Sequence, residues 1–190
     1  FNIASKIKLV SDEFDLNENI TIYLDNKTIS EKEYKFSEFG PHEVIFYING
    51  EINMDYMFKN IDSLSSIEIN TSNITSMKNL FENCSINSFK FISNKPLNIT
   101  STYKMFYNSS ISELDLINLT TSNVVNMSNM FAYSKLVNFT MNINTSKVKD
   151  MSSMFEGLYH LDNLNIEQMN TDSAENMSKM FSDCMNLSEL

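Results

Sequence analysis

Apolar residues recur along most of this chain in two alternating signatures. The first is a cluster of the form M-x-x-M-F, whose aromatic falls at Phe58, Phe81, Phe106, Phe131, Phe155 and Phe181, in steps of 23, 25, 25, 24 and 26 residues. Ahead of it stand Met54 with Met57, Met77 with Leu80, Met127 with Met130, Met151 with Met154 and Met177 with Met180, and only Thr102 interrupts the column. Apolar groups at i, i+3 and i+4 share one face of a short helix of about two turns. Asn53, Ser76, Ser101, Asn126, Asp150 or Asn176 precedes each cluster. All six are N-cap types, whose side chains accept from the free N–H groups of a first helical turn.

The second signature, L-x-x-L-x-L, follows each Phe by a few residues: Leu64, Ile67, Ile69; Ile86, Phe89, Phe91; Ile111, Leu114, Leu116; Leu136, Phe139, Met141; Leu161, Leu164, Ile166. Leu187 and Leu190 begin another copy. Its tail alternates with period two, which predicts a short strand with one face in and one face out. Turns such as Thr71-Ser72-Asn73-Ile74, Thr121-Ser122-Asn123-Val124 and Thr145-Ser146-Lys147-Val148 lead on to the next cluster. A unit of this length cannot bury its own apolar stripe, so neighbours must stack. The expected fold is an α+β repeat solenoid: a leucine-rich-repeat-like right-handed coil over residues 51–190, with a parallel strand ladder, short helices and a core of Leu, Ile, Met and Phe in columns.

Residues 1–50 lack the repeat. Lys6–Val10, Ile20–Leu24, Tyr34–Phe36 and Glu43–Ile48 read as strands, with turns at Asp25-Asn26-Lys27 and Gly40-Pro41. A small β-rich cap domain is expected there, covering the apolar end of the first coil. The chain begins at Phe1 and stops at Leu190 inside a repeat, so it reads as a fragment of something longer.

Composition changes this picture in three places. Three Gly and two Pro among 190 residues are too few to punctuate so many turns. Asn takes over, because its short amide tolerates left-handed backbone and bonds to its own main chain. A net charge of -10 repels phosphate backbones and anionic membranes, which argues against nucleic-acid binding. The longest apolar run, Val44 to Ile48, is far shorter than the roughly 20 residues that cross a bilayer, so no direct membrane insertion is expected.

Written out, Leu114-Asp115-Leu116-Ile117-Asn118-Leu119-Thr120-Thr121-Ser122-Asn123-Val124-Val125-Asn126-Met127-Ser128-Asn129-Met130-Phe131 resembles the unit of the BspA-like leucine-rich-repeat surface proteins, L-D-L-S-x-F-D-T-S-N-V-x-x-M-x-x-M-F-x-x-C. The resemblance covers roughly Met54 to Leu190 and is best in the copies beginning at Thr71, Thr121, Thr145 and Thr171. Pro96 to Thr102 has lost the T-S-N motif and the first Met, and the copy around Met54 lacks the T-S turn. The resemblance implies a cell-surface or secreted protein with an adhesive or binding role, and it implies no catalytic residues.

Candidate chemistry is sparse. Cys84 and Cys184 both stand three residues after a repeat Phe, four coils apart. At about 4.8 Å per strand step that gap is ~19 Å, beyond the ~7 Å reach of a disulfide, so both read as small buried column residues. His42 and His160 have no sequence neighbours at metal-ligand spacing, so no metal or other cofactor is expected. Neither G-x-S-x-G nor a phosphate loop occurs, and the chain is read as no enzyme. The N-x-S/T triplets, including Asn70, Asn98, Asn118, Asn126 and Asn176, fit either turn chemistry or glycan attachment.

What remains is the outward strand face, where Glu68, Lys90, Asp115, Thr140 and Asn165 should stand one coil apart, beside Ser66, Ser88, Glu113, Asn138 and Asn163. This polar ladder is the expected binding face for an extracellular protein or glycan. The other reading is a structural spacer or coat protein with no specific ligand.

Overall fold

The computed structural model describes residues 6–37, 42–69, 73–91, 99–116, 119–140 and 143–188, apart from the side chains of Ile69, Phe91, Glu113, Asp115, Asn138 and Thr140. The Gly40-Pro41 turn, Thr71-Ser72, Met141, Leu190 and the triplet residues Asn70, Asn98 and Asn118 fall outside the described residues.

Antiparallel pairing occupies residues 7–48. β1 (Ile7–Lys8), β2 (Ile20–Leu24), β3 (Lys27–Ile29), β4 (Glu33–Tyr34) and β5 (Val44–Ile48) form a β1–β4 pair and a sheet in the order β3-β2-β5. Asp25 and Asn26 join β2 to β3 with φ of 46° and 65°. Two successive left-handed residues make the type I′ turn that suits a tight hairpin, and Asp and Asn tolerate it. The segment packs onto the first repeat: Ser11 N–H donates to Met57 O at 2.9 Å, and the Phe46 and Phe58 rings meet edge-on at 5.6 Å. Lys59 adds a 3.0 Å ion pair with Glu13.

Beyond Gly50 the described pairing is parallel and runs between successive repeats. β6 (Ile52–Asn53) pairs β8 (Ile74–Ser76), while β7 (Ser66–Ile69), β9 (Ser88–Phe91) and β10 (Glu113–Asp115) form one sheet. β11 (Asn138–Thr140) and β12 (Asn163–Asn165) form another. Each of these last five strands falls on an L-x-x-L-x-L tail, as the alternation predicts. The core is a file of phenylalanines: Phe58, Phe81, Phe106, Phe131, Phe155 and Phe181 stack face to face at 5.6, 5.5, 5.9, 5.7 and 5.6 Å. The methionine columns lie buried beside them, except Met177, which is 47% exposed. At the gap in the column Thr102 is also buried, and its hydroxyl donates to Met130 Sδ at 3.3 Å.

The expected α+β solenoid with short helices is not what the chain forms. Among the described residues there is no α-helix, and the strands lie in small separate sheets, with no registered pairing between β10 and β11. Each M-x-x-M-F cluster is instead a run of turns. Around Phe58, the N–H groups of Met57, Lys59 and Ile61 close turns onto the carbonyls three residues back, Met54, Tyr56 and Phe58. Those of Tyr56, Phe58 and Asn60 leave the segment and bond Lys78, Leu80 and Glu82 of the next repeat. Half the donors that an α-helix would use internally therefore hold the repeats together.

The backbone reason is left-handed residues two before and two after every repeat Phe: Tyr56 and Asn60, Asn79 and Asn83, Lys104 and Asn108, Asn129 and Tyr133, Ser153 and Gly157, Lys179 and Asp183. An α-helix admits no residue of positive φ, whereas the third place of a type II turn requires one. Five of the six residues read as N-caps keep the local chemistry without the helix, and the sixth, Ser76, has a buried Oγ without a hydrogen-bond partner among the described residues. Asn53, Asn126, Asp150 and Asn176 accept the N–H two residues on at 2.8, 3.0, 3.0 and 3.1 Å, and Ser101 Oγ does so at 3.3 Å. Their backbones meanwhile bridge in parallel, Asn53 to Ser76 and Ser101 to Asn126 to Asp150 to Asn176.

Candidate functional site

Strand register decides which ladder residues share a surface. Glu68 lies opposite Lys90 and Lys90 opposite Asp115, with Ser66, Ser88 and Glu113 aligned beside them. Thr140 lies opposite Asn165, and Asn138 opposite Asn163. The row expected to be continuous is thus two plates. One carries Glu68, Lys90, Asp115 and Glu113, and the other Thr140, Asn165 and Asn138. Glu68, Lys90, Asn165, Ser66, Ser88 and Asn163 are exposed, as outward alternation requires, while Phe89 and Leu164 between them are buried. For Glu113, Asp115, Asn138 and Thr140 the strand position is described and the side chain is not.

An open hollow of about 520 Å³ lies against the first plate, lined by Ser66, Glu68, Ser88 and Lys90 together with Ile67, Phe89 and Leu114. Across the register the charges run negative, positive, negative. Opposite charges directly across strands stabilise a sheet by roughly 0.2–1 kcal/mol per pair.

The turn side of the repeats carries an aromatic stripe that strand alternation does not reveal. Tyr107 meets Tyr133 edge-on at 5.6 Å, and Tyr133 meets Tyr159 at 6.3 Å. Lys104 Nζ sits 4.6 Å from the Tyr107 ring and 5.6 Å from that of Tyr103. The Tyr133 hydroxyl donates to Glu156 at 2.8 Å, and this bond to a carboxylate pushes its pKa up to about 12. A signal existed in the sequence: Tyr107, Tyr133 and Tyr159 are spaced 26 and 26 residues apart, close to the repeat length.

Both cysteines are free. Cys84 is buried, which raises its thiol pKa to about 11, whereas Cys184 is only half-buried and donates to Phe155 O at 3.0 Å. His42 meets Asp25, 17 residues earlier in the chain, across 2.6 Å, and this bond lowers the Asp25 pKa. Among the described residues no group of three or more His, Cys, Asp or Glu is placed to hold a metal ion, and no helix is long and apolar enough to cross a membrane.

A family model described as Mycoplasma protein of unknown function, DUF285, matches residues 52–138 and again residues 100–189. The chain belongs to that family. The two matches start 48 residues apart, about two repeats, so one family unit spans several of the stacked rungs. Comparison with curated proteins and with solved structures finds no match.

Proposed function

We propose that this chain is a non-catalytic cell-surface or secreted protein of the BspA-like repeat type, which holds an extracellular protein or glycan against its outward strand face. The observation that carries the reading is the registered row Glu68, Lys90 and Asp115, bordered by a hollow of about 520 Å³. A stacked backbone sets one polar side chain per step at a fixed spacing, which suits recognition by area and shape. The net charge of -10 disfavours nucleic acid as the partner.

The sign alternation also favours a second reading, a spacer or coat component in which these charges only hold strands in register. Inverting the whole row with Glu68→Lys, Lys90→Glu and Asp115→Lys separates the two. Each cross-strand pair stays attractive, so the melting temperature should hold, while capture of matrix proteins or arrayed glycans should fall at least tenfold. Unchanged capture by the inverted protein would contradict recognition by this face.

A further inference from the structure

We propose that two copies of this protein associate through the outer edge of β5, the strands running antiparallel and crossing at Phe46. β5 is the last strand of its sheet and pairs on one side with β2. The bonds from Asp25 N–H to Glu43 O and from Asn49 N–H to Asn19 O set the phase of that pairing. Glu43, Ile45, Tyr47 and Asn49 turn their main-chain groups toward β2, so Val44, Phe46 and Ile48 turn theirs to the open side. Among the described residues no strand covers that side. The strand is Val-Ile-Phe-Tyr-Ile, without a charge or proline to blunt it.

This edge is complementary to itself. With Phe46 on the two-fold axis, Val44 falls opposite Ile48 of the second copy and Phe46 opposite Phe46, each pair exchanging two main-chain hydrogen bonds. Ile45 then falls opposite Tyr47 in the closer, non-hydrogen-bonded pairs, an aromatic with β-branched combination that sheets favour. Those two residues are among the most exposed apolar groups of the chain, at 38% and 57%. Tyr23 packs edge-on against Tyr47 at 5.2 Å, extending the row into each copy. Glu43 falls opposite Asn49, so no like charges meet at the strand ends.

Because each copy carries a charge of -10, long-range repulsion opposes the β5 pairing at low salt and screening relieves it.

Sedimentation velocity of the full chain across protein concentration and salt tests this. The expected result is a monomer–dimer equilibrium that shifts toward dimer as either rises. Ile45→Lys with Tyr47→Lys sets like charges opposite each other and should leave only monomer. Ile45→Lys with Tyr47→Glu sets opposite charges together and should keep the dimer. Both changes lie on the exposed face, and an unchanged thermal melt confirms folding. A wild-type protein that stays monomeric in high salt, or a doubly lysine-substituted protein that still dimerises, would overturn the proposal. A monomeric Ile45→Lys/Tyr47→Glu protein would overturn the antiparallel register, and dimerisation only on adding an unrelated extended peptide would assign the edge to a different partner.

Discussion

The ring of Tyr133 fills the space in which a side chain at Gly157 would begin: a Cβ there would lie 2.4 Å from both Tyr133 Cδ1 and Cε1. Gly157 also has φ of 67°, so two separate costs attach to any larger residue. Gly157→Ala should destabilise the protein by about 2–4 kcal/mol, combining left-handed strain with overpacking. In a Tyr133→Ala background only the strain of about 1 kcal/mol should remain. Urea unfolding of the four proteins in this cycle measures the difference, and equal costs in both backgrounds would refute the contact.

The phenylalanine file predicts a graded response. Phe131 is buried between Phe106 at 5.9 Å and Phe155 at 5.7 Å and also meets Phe139 at 5.0 Å. Phe131→Ala should cost about 3–5 kcal/mol through the cavity it leaves. Phe181 is only half-buried and, among the described residues, stacks on Phe155 alone, so Phe181→Ala should cost well under half as much. Denaturant midpoints at constant slope check the order.

An asparagine ladder runs along the turns, with Asn83 Nδ2 donating to Asn60 Oδ1 at 3.0 Å and Asn108 Nδ2 donating to Asn83 Oδ1 at 2.9 Å. Asn83 has φ of 54°. Asn83→Ala loses both amide bonds and adds left-handed strain, whereas Asn83→Gly loses the bonds but keeps the conformation easily. The alanine protein should be less stable than the glycine protein by about 1 kcal/mol. Thermal unfolding of the pair decides it.

Tyr133 gives the account a handle in alkali. Its folded pKa of about 12 stands above the ordinary value of 10.0 because Glu156 accepts its hydroxyl proton. A group that binds its proton more tightly when folded adds stability that is complete below its unfolded pKa and is lost as the pH rises through the folded one. The Tyr133–Glu156 contribution should therefore fade between pH 10 and about 12. In Glu156→Gln the Tyr133 phenolate transition should move down toward the ordinary value of 10.0. Ultraviolet titration of both proteins reads this directly, and superimposable curves would contradict it.

Much of the architecture was legible in the residues. The 23 to 26 residue period located the Phe file, and the L-x-x-L-x-L tails located β7, β9, β10, β11 and β12. The helices were misread because Met54, Met57 and Phe58 fit both a helical face and a run of turns with inward apolar groups. The deciding sign was the column two residues after each Phe, Asn60, Asn83, Asn108, Tyr133, Gly157 and Asp183, mostly types that tolerate positive φ. The polar strand ladder followed from alternation, but its division between β10 and β11 depends on register, which sequence spacing leaves open. The tyrosine stripe was hidden because its members drift relative to the repeat Phe, at one, two and four residues after it.

The central claim is that repeats are joined by the backbone of the M-x-x-M-F segments. Trans-hydrogen-bond scalar couplings in an isotopically labelled sample test it most directly at Phe81. Its N–H should couple to the carbonyl of Met105, one repeat on, across a bond of 2.8 Å. A coupling to the carbonyl of Met77, four residues back, would mean an α-helix and would contradict the account.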